Sequence, residues 1–110
     1  MLDVSLSQYA RKFDESCYGW TDDKEYLFMY LKHLEKNFNE LLVKRGYVFL
    51  RDIYEMLGIP ITKTSCIVGW KVDREHLMGY NFIDITIHED NDSNIWLDFN
   101  VDGNIIDRLY

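Results

Sequence analysis

The stretch from Asp22 to Arg45 has the strongest pattern in the chain and constrains the fold most. Its apolar residues recur at alternating spacings of four and three, which places them along one side of a helix: Leu27, Leu31, Leu34, Phe38 and Leu41. Thr21 or Asp22 can cap the start, and Gly46 follows the last turn, where glycine is favoured. The sequence therefore predicts one long helix over residues 22–45 with an apolar stripe that must be covered.

Two interpretations of this stripe are open. It can be the helical half of a core packed on a sheet, or the seam of a coiled coil that makes a homodimer through the 22–45 helix. The sequence favours the core, because so few heptads are short for a coiled coil. Four further residues make the N-terminal end of the helix apolar nearly all round: Tyr26, Phe28, Met29 and Tyr30. This composition predicts burial on two sides, by the sheet and by the N-terminal segment or a partner chain.

A two-residue alternation dominates the last third of the chain. The alternating apolar residues are Ile83, Ile85 and Ile87, then Ile95, Leu97, Phe99 and Val101. The polar stretch 89–94 between the two runs is a turn signal. The pattern predicts a β-hairpin with an apolar face toward the long helix and a polar face toward solvent.

The remaining segments give weaker signals. Residues 3–17 have helical spacing and predict a first helix, which would form a helical hairpin with the long one. Residues 47–49 and 66–72 favour extended structure, and residues 50–57 predict a short helix that ends at Gly58. We therefore expect a single α+β domain over residues 1–110. A helical hairpin (1–45) is followed by a short helix and an antiparallel sheet (46–110), with the helices on one face of three or four strands.

Composition limits the class of protein. Of the 110 residues, 47% are hydrophobic and 28% are charged, which is typical of a globular chain. No apolar run approaches the length of a membrane span, and residues 1–10 lack the basic and apolar regions of a signal peptide. Cys17 and Cys66 have no motif spacing. We expect free thiols, no membrane contact and a location in the cytoplasm of a bacterial host.

The net charge of −7 is concentrated toward the C-terminus. Residues 80–107 contain no Lys or Arg, so direct nucleic-acid binding is not expected, since phosphate contacts need basic side chains. The polar hairpin face and its turn instead predict a surface that binds a basic partner protein: Asp84, Glu89, Asp90, Asp92, Trp96, Asp98 and Asp102. The alternative is that these acids only keep the protein soluble.

Catalytic and metal signals are weaker. Asp98, Asn100 and Asp102-Gly103 match the opening of a calcium loop, but Leu109 stands where the closing carboxylate belongs, and strand alternation explains the same spacing. No cysteine has a histidine at a signature spacing. The sequence therefore predicts no metal, no cofactor and no catalytic residue. A metal-assisted hydrolase using the acidic residues is kept as the last alternative.

Four segments resemble a known family in their order and spacing. They are GYVFLRDIYEMLG (46–58), Gly69-Trp70, Phe82-Ile83-Asp84 and LDFNVDG (97–103). They resemble an uncharacterised family of proteins from phages and mobile elements of gut Firmicutes, over about the last 60% of the chain. The resemblance implies a phage or mobile-element origin and no reaction.

Together, the charge and the resemblance predict a non-enzymatic protein–protein interaction module. Its specific form would be an inhibitor of a basic nucleic-acid-handling host protein, such as a CRISPR or restriction nuclease. A self-associating structural or virion-assembly protein is the alternative.

Overall fold

The computed structural model of the protein describes residues 6–72 and 82–106. In chain order the elements are β1 (Arg11–Phe13), α1 (Lys24–Arg45), β2 (Tyr47–Phe49), α2 (Leu50–Leu57), a 3-10 turn (Thr64–Cys66), β3 (Val68–Lys71), β4 (Ile85–Glu89), β5 (Ile95–Phe99) and β6 (Gly103–Asn104). The α+β class is confirmed. None of the helices in these two ranges is long and apolar enough to span a bilayer.

Helix α1 begins and ends at specific capping residues. The Asp23 carboxylate accepts hydrogen bonds from the amides of Glu25 and Tyr26, at 3.1 and 3.2 Å. At the other end Gly46 adopts a left-handed conformation (φ 93°), and its amide donates to the Leu42 carbonyl. Glycine adopts this conformation without steric cost, so the predicted C-terminal glycine is confirmed.

The apolar stripe of α1 packs inside the chain. Its buried residues are Leu27, Leu31, Leu34, Phe38 and Leu42. Leu42 takes the place predicted for Leu41, which is half-buried, because a spacing of four from Phe38 continues the stripe on the same side. The core interpretation is therefore confirmed, and this stripe is not available as a coiled-coil seam.

The strands form two antiparallel sheets instead of the single sheet that the sequence predicts. In sheet A the order is β1-β5-β4, with the predicted hairpin formed by β4 and β5. In sheet B the order is β2-β3-β6. The stripe of α1 belongs to one hydrophobic core with the inner residues of sheet A, including Ile85, Leu97 and Phe99.

The predicted first helix is wrong. Residues 11–13 form strand β1, and residues 14–20 form turns, so the described part of the predicted helical hairpin contains one helix. Residues 11–13 form a strand despite their helical spacing, because they pair with the edge of β5 that does not contact β4. Phe13 lies opposite Ile95, is 1% exposed and stacks edge-on against Trp20 with the ring centroids 5.7 Å apart. Residues 1–5 lie outside the described ranges.

The two sheets are joined through Trp70 of β3. Its indole is completely buried, and Nε1 donates to the Asn100 backbone oxygen (3.1 Å) and to Asn100 Oδ1 (3.2 Å), just beyond β5. The Asn100 amide also accepts from the Asp84 amide and donates to the Phe82 carbonyl, both at 2.8 Å. One side chain therefore ties the start of β4 to the end of β5 and to sheet B.

Gly69 precedes Trp70 at a close approach between strands. A Cβ built on Gly69 would overlap the Val48 carbonyl oxygen of β2 and lie 2.8 Å from Phe49 Cα. Only glycine therefore fits at this position of β3. Residues 73–81 and 107–110 lie outside the described residues.

Candidate functional site

The seven residues predicted to bind a partner lie in separate places. Asp84 precedes β4, whereas Glu89 ends it, about 17 Å away along an extended strand. Asp90 and Asp92 follow in the hairpin turn. Asp102 lies beyond β5, where its amide donates to the Gly69 carbonyl of sheet B at 3.0 Å. The structure therefore places Asp84 and Asp102 at one end of sheet A and Glu89, Asp90 and Asp92 at the other, with Trp96 and Asp98 on β5 between them.

The row of residues across the outer face of sheet A that contains Trp96 has no carboxylate. Trp96 of β5 lies between Lys12 of β1 and His88 of β4 in the strand register. Lys12 is exposed, and Trp96 and His88 are half-buried. A basic partner laid flat on this face would meet Lys12 as well as the carboxylates.

Asp90 and Trp96 stabilise the hairpin turn. The Trp96 Nε1 donates to Asp90 Oδ2 at 2.9 Å, and the amides of Asp92 and Asn94 donate to Asp90 Oδ1 at the same distance. The bond from Trp96 and then the amide of Asn94 hold the pKa of Asp90 below its ordinary value. Both predicted site residues therefore have a role in the fold.

Asp98 fastens the N-terminal segment to β5. The hydroxyl of Ser7 donates to Oδ1, and the amide of Ser7 donates to Oδ2 at 2.9 Å. Burial raises the pKa of Asp98, but the hydrogen bonds from Ser7 and from the Phe99 amide outweigh it, so the pKa lies below its ordinary value. In the calcium pattern, the oxygens of Asp98 and Asn100 thus already accept hydrogen bonds from protein groups. Within residues 6–72 and 82–106, no three potential ligands among His, Cys, Asp and Glu converge on a metal position.

Replacing Asp98 by asparagine is expected to destabilise the protein by about 1 to 2 kcal/mol at neutral pH, because two charge-assisted bonds to Ser7 are weakened. The lowered pKa means that the folded state binds this proton less readily than the unfolded state. Its stabilising contribution is present above the unfolded-state value near 3.8 and disappears as the pH falls through the lower folded-state value.

Urea denaturation of the wild type and the Asp98→Asn variant checks this. Their difference in unfolding free energy should be constant near neutral pH and should shrink as the pH falls below about 5 toward the folded-state pKa of Asp98. The exposed Asp84→Asn substitution is the matched control, with little expected effect. An equal loss for both variants would contradict the role assigned to Ser7 and Asp98.

The start of α1 carries a surface that sequence reasoning did not identify as a site. Tyr26, Phe28 and Met29 are 60%, 52% and 66% exposed, so the predicted two-sided burial does not occur within the described chain. Tyr30 alone turns toward the N-terminal segment, with its ring against Gly19. The sequence does contain apolar residues outside the stripe at this end of α1. They led to the prediction of a buried helix end and not of an exposed surface.

Two exposed carboxylates lie next to these apolar side chains on the helix. Asp22 precedes the first turn of α1, and Glu25 lies in it. We call Asp22, Glu25, Tyr26 and Met29 the helix-start surface. The hairpin is joined to another side of this turn by an ion pair of 2.8 Å between Lys24 Nζ and Glu89 Oε1.

Comparison with known proteins gives a family. A family model matches residues 1–109. The chain belongs to this family of unknown function, DUF6353. The prediction of an uncharacterised family is confirmed, and the DUF6353 match covers nearly the whole chain, but the phage or mobile-element origin stays a prediction. Neither a curated protein nor a solved structure matches this DUF6353 member.

Proposed function

We propose that the protein is a non-enzymatic interaction module that binds a basic partner protein through the helix-start surface. The observation that carries this proposal is the exposure of Tyr26 and Met29 beside carboxylates. Large apolar side chains that cluster on a surface mark sites of protein interaction, and aromatic residues and methionine are enriched at such sites.

The chemistry of the surface indicates the chemistry of the partner. Asp22 and Glu25 are exposed, whereas Asp23 is used to cap α1. An arginine or lysine of the partner can pair with Glu25 and lay its aliphatic stem or its cation on the Tyr26 ring. The net charge of −7 would accelerate association with a basic protein.

In its specific form, the proposal is that the module inhibits a nucleic-acid-handling protein of a bacterial host, such as a CRISPR or restriction nuclease, in the host cytoplasm. Carboxylates at the helix start and in the hairpin turn would occupy positions that phosphates take in the partner's groove. The acidic run from residue 80 to residue 107 and the resemblance to phage and mobile-element proteins support this form.

A pull-down from a bacterial host lysate, washed at low and then at high salt, tests the proposal. A stoichiometric basic protein that is released by salt is the expected result. Recovery of the protein alone, or only with further copies of itself, would overturn the proposal for that host and favour the structural or virion-assembly alternative.

Matched variants then locate the binding surface. The double charge reversal Asp22→Lys with Glu25→Lys should weaken binding to the captured partner by about tenfold or more, as should Tyr26→Ala with Met29→Ala. The control reversal is Asp84→Lys with Glu55→Lys, at two exposed positions elsewhere. The control for truncation is Val43→Ala, at an exposed position on the same helix. If the control variants lose more binding than the helix-start variants, the partner binds another face of the protein.

A further inference from the structure

Two arginines flank β2 in the chain, and both lie against its aromatic side chains. The guanidinium carbon of Arg45 is 4.4 Å from the centroid of the Tyr47 ring, and that of Arg51 is 5.5 Å from the centroid of the Phe49 ring. The two rings meet edge to face, with their centroids 5.7 Å apart. A guanidinium attracted to the face of a ring can still bind an anion, because its N–H groups lie in its own plane.

One carboxylate serves both arginines. Arg45 Nη2 donates to Asp52 Oδ2 at 3.0 Å, and Arg51 Nε lies 4.0 Å from Asp52 Oδ1. Asp52 Oδ2 also accepts from the Phe49 amide at 3.0 Å, so this carboxylate is already used at the start of α2. Among the described residues no second carboxylate lies within 4.0 Å of either guanidinium, the neighbouring Glu55 included. The two arginines therefore carry one positive charge more than Asp52 balances.

Lys71 of β3 adds a third cation. It lies opposite Tyr47 in the register of β2 and β3, and paired residues of antiparallel strands direct their side chains to the same face. Lys71 makes no ion pair with any residue of the described ranges. Three cations and one carboxylate leave an excess of two positive charges here, in a chain whose net charge is −7. We call Arg45, Arg51 and Lys71 the basic cluster.

We propose that the basic cluster binds a dianionic phosphate group, supplied by inorganic phosphate or by a small phosphate monoester such as a nucleotide. A phosphate monoester carries a charge of about −1.5 to −2 at pH 7, which the excess of two positive charges matches. Its ionised oxygens accept hydrogen bonds, whereas guanidinium and ammonium groups only donate them.

Arg45 is already held in position for such a ligand. Its Nε donates to the Tyr47 carbonyl at 3.0 Å, and its Nη2 donates to Asp52 at the same distance. These bonds use two of its five N–H groups, so the others remain for an anion. Because the side chain is ordered before the ligand arrives, binding does not lose the entropy of fixing it.

The charge of the whole chain favours a small ligand over a nucleic-acid strand. A strand binds through a row of cations that neutralise its successive phosphates. The basic cluster offers three cations, and the net charge of −7 repels a long polyanion. The ligand chemistry that fits is therefore a single phosphate group with two charges.

This proposal does not depend on the proposed function. Arg45 is the last residue of α1, whereas Glu25 lies in its first turn, about 30 Å away along the helix. A phosphate at the basic cluster leaves the helix-start surface uncovered. Variants of one surface should therefore not change binding at the other, and either proposal can fail alone.

Nuclear magnetic resonance of the full chain, titrated with inorganic phosphate and separately with AMP, gives the first test. Saturable shifts in the amide signals of residues 45–52 and 71 are expected at millimolar concentration. Equal affinities would assign binding to the phosphate group alone, and tighter binding of AMP would assign a nucleotide. Both results support the proposal, and no saturable shift with either probe would overturn it.

Matched variants locate the site. Arg51→Gln and Lys71→Gln should each weaken binding of the tighter probe by about tenfold or more, and Arg51→Lys should weaken it less, since it keeps the charge. Asp52 keeps its bond from Arg45 in these variants, and circular dichroism confirms that they are folded. The control is Lys36→Gln, which removes an exposed cation elsewhere on α1 and should leave binding unchanged. Wild-type affinity in both cluster variants, or an equal loss in the control, would overturn the proposal.

Competition separates the small ligand from a nucleic-acid strand. A single-stranded oligonucleotide without a terminal phosphate should not displace the bound probe. Displacement at a lower concentration than inorganic phosphate requires would overturn the proposal, because it would assign the basic cluster to a phosphodiester backbone.

Discussion

Replacing Gly69 by alanine is expected to destabilise the fold by about 3 kcal/mol or more, because the new methyl group would meet backbone instead of a movable side chain. The nearest atoms are the Val48 carbonyl oxygen and Phe49 Cα of the neighbouring strand. Gly69 lies opposite Phe49 in β2 and opposite Gly103 in β6, so β3 cannot move away from β2 without disturbing β6.

Chemical denaturation measures this effect. The control is Lys71→Ala, at a half-buried position at the end of the same strand, where the expected change is about 0.5 kcal/mol. A loss below about 1 kcal/mol for Gly69→Ala would show that β2 and β3 can separate at little cost.

Replacing Trp70 by alanine should cost about 4 kcal/mol, a large part of the stability of a domain of this size. The substitution removes the largest completely buried side chain among the described residues and leaves a cavity between the two sheets. It also removes the donor for Asn100, whose side chain connects Phe82, Asp84 and sheet B.

The matched substitution Trp96→Ala removes the same type of side chain at a less buried position. Comparing the two losses in stability therefore shows how much burial contributes. Trp96 is half-buried on the outer face and donates to Asp90, so we expect its loss to cost about 1 to 2 kcal/mol. The loss of stability for Trp70→Phe should fall between these two values, since phenylalanine keeps most of the ring volume and loses the hydrogen bond. Equal effects for Trp70→Ala and Trp96→Ala would contradict the role of Trp70 as the connection between the sheets.

The elements with local signals were predictable from sequence. Helix α1 needs only its stripe, an acidic cap and Gly46, and it was predicted to within two residues at its start. The hairpin β4–β5 and helix α2 are likewise predictable from the spacing of their apolar residues and from the turn residues that follow them. Strand β1 was not predictable in this way, because Arg11–Phe13 becomes a strand only through an edge that β5 offers.

The candidate surface was likewise predictable from sequence only in part. Sequence alternation places Asp98 on the polar face of β5, but the bond from Ser7 that occupies its carboxylate depends on the path of the N-terminal segment. Exposure of Tyr26 and Met29 could not be deduced from composition, since an apolar helix end is equally compatible with burial. The family match covers nearly the whole chain but does not supply a function.

The pairing of β1 with β5 determines when the protein can fold during its synthesis. Ser7 and its acceptor Asp98 are 91 positions apart, so the ribosome must release almost the whole chain before β1 can dock. Helix α1 can form early, but its stripe stays uncovered until β4 and β5 emerge. Contacts between such distant segments slow folding, because a long loop must close before the contacts form. The nascent chain therefore passes through a period in which its longest helix is exposed, and this is the stage at which a chaperone would act on it.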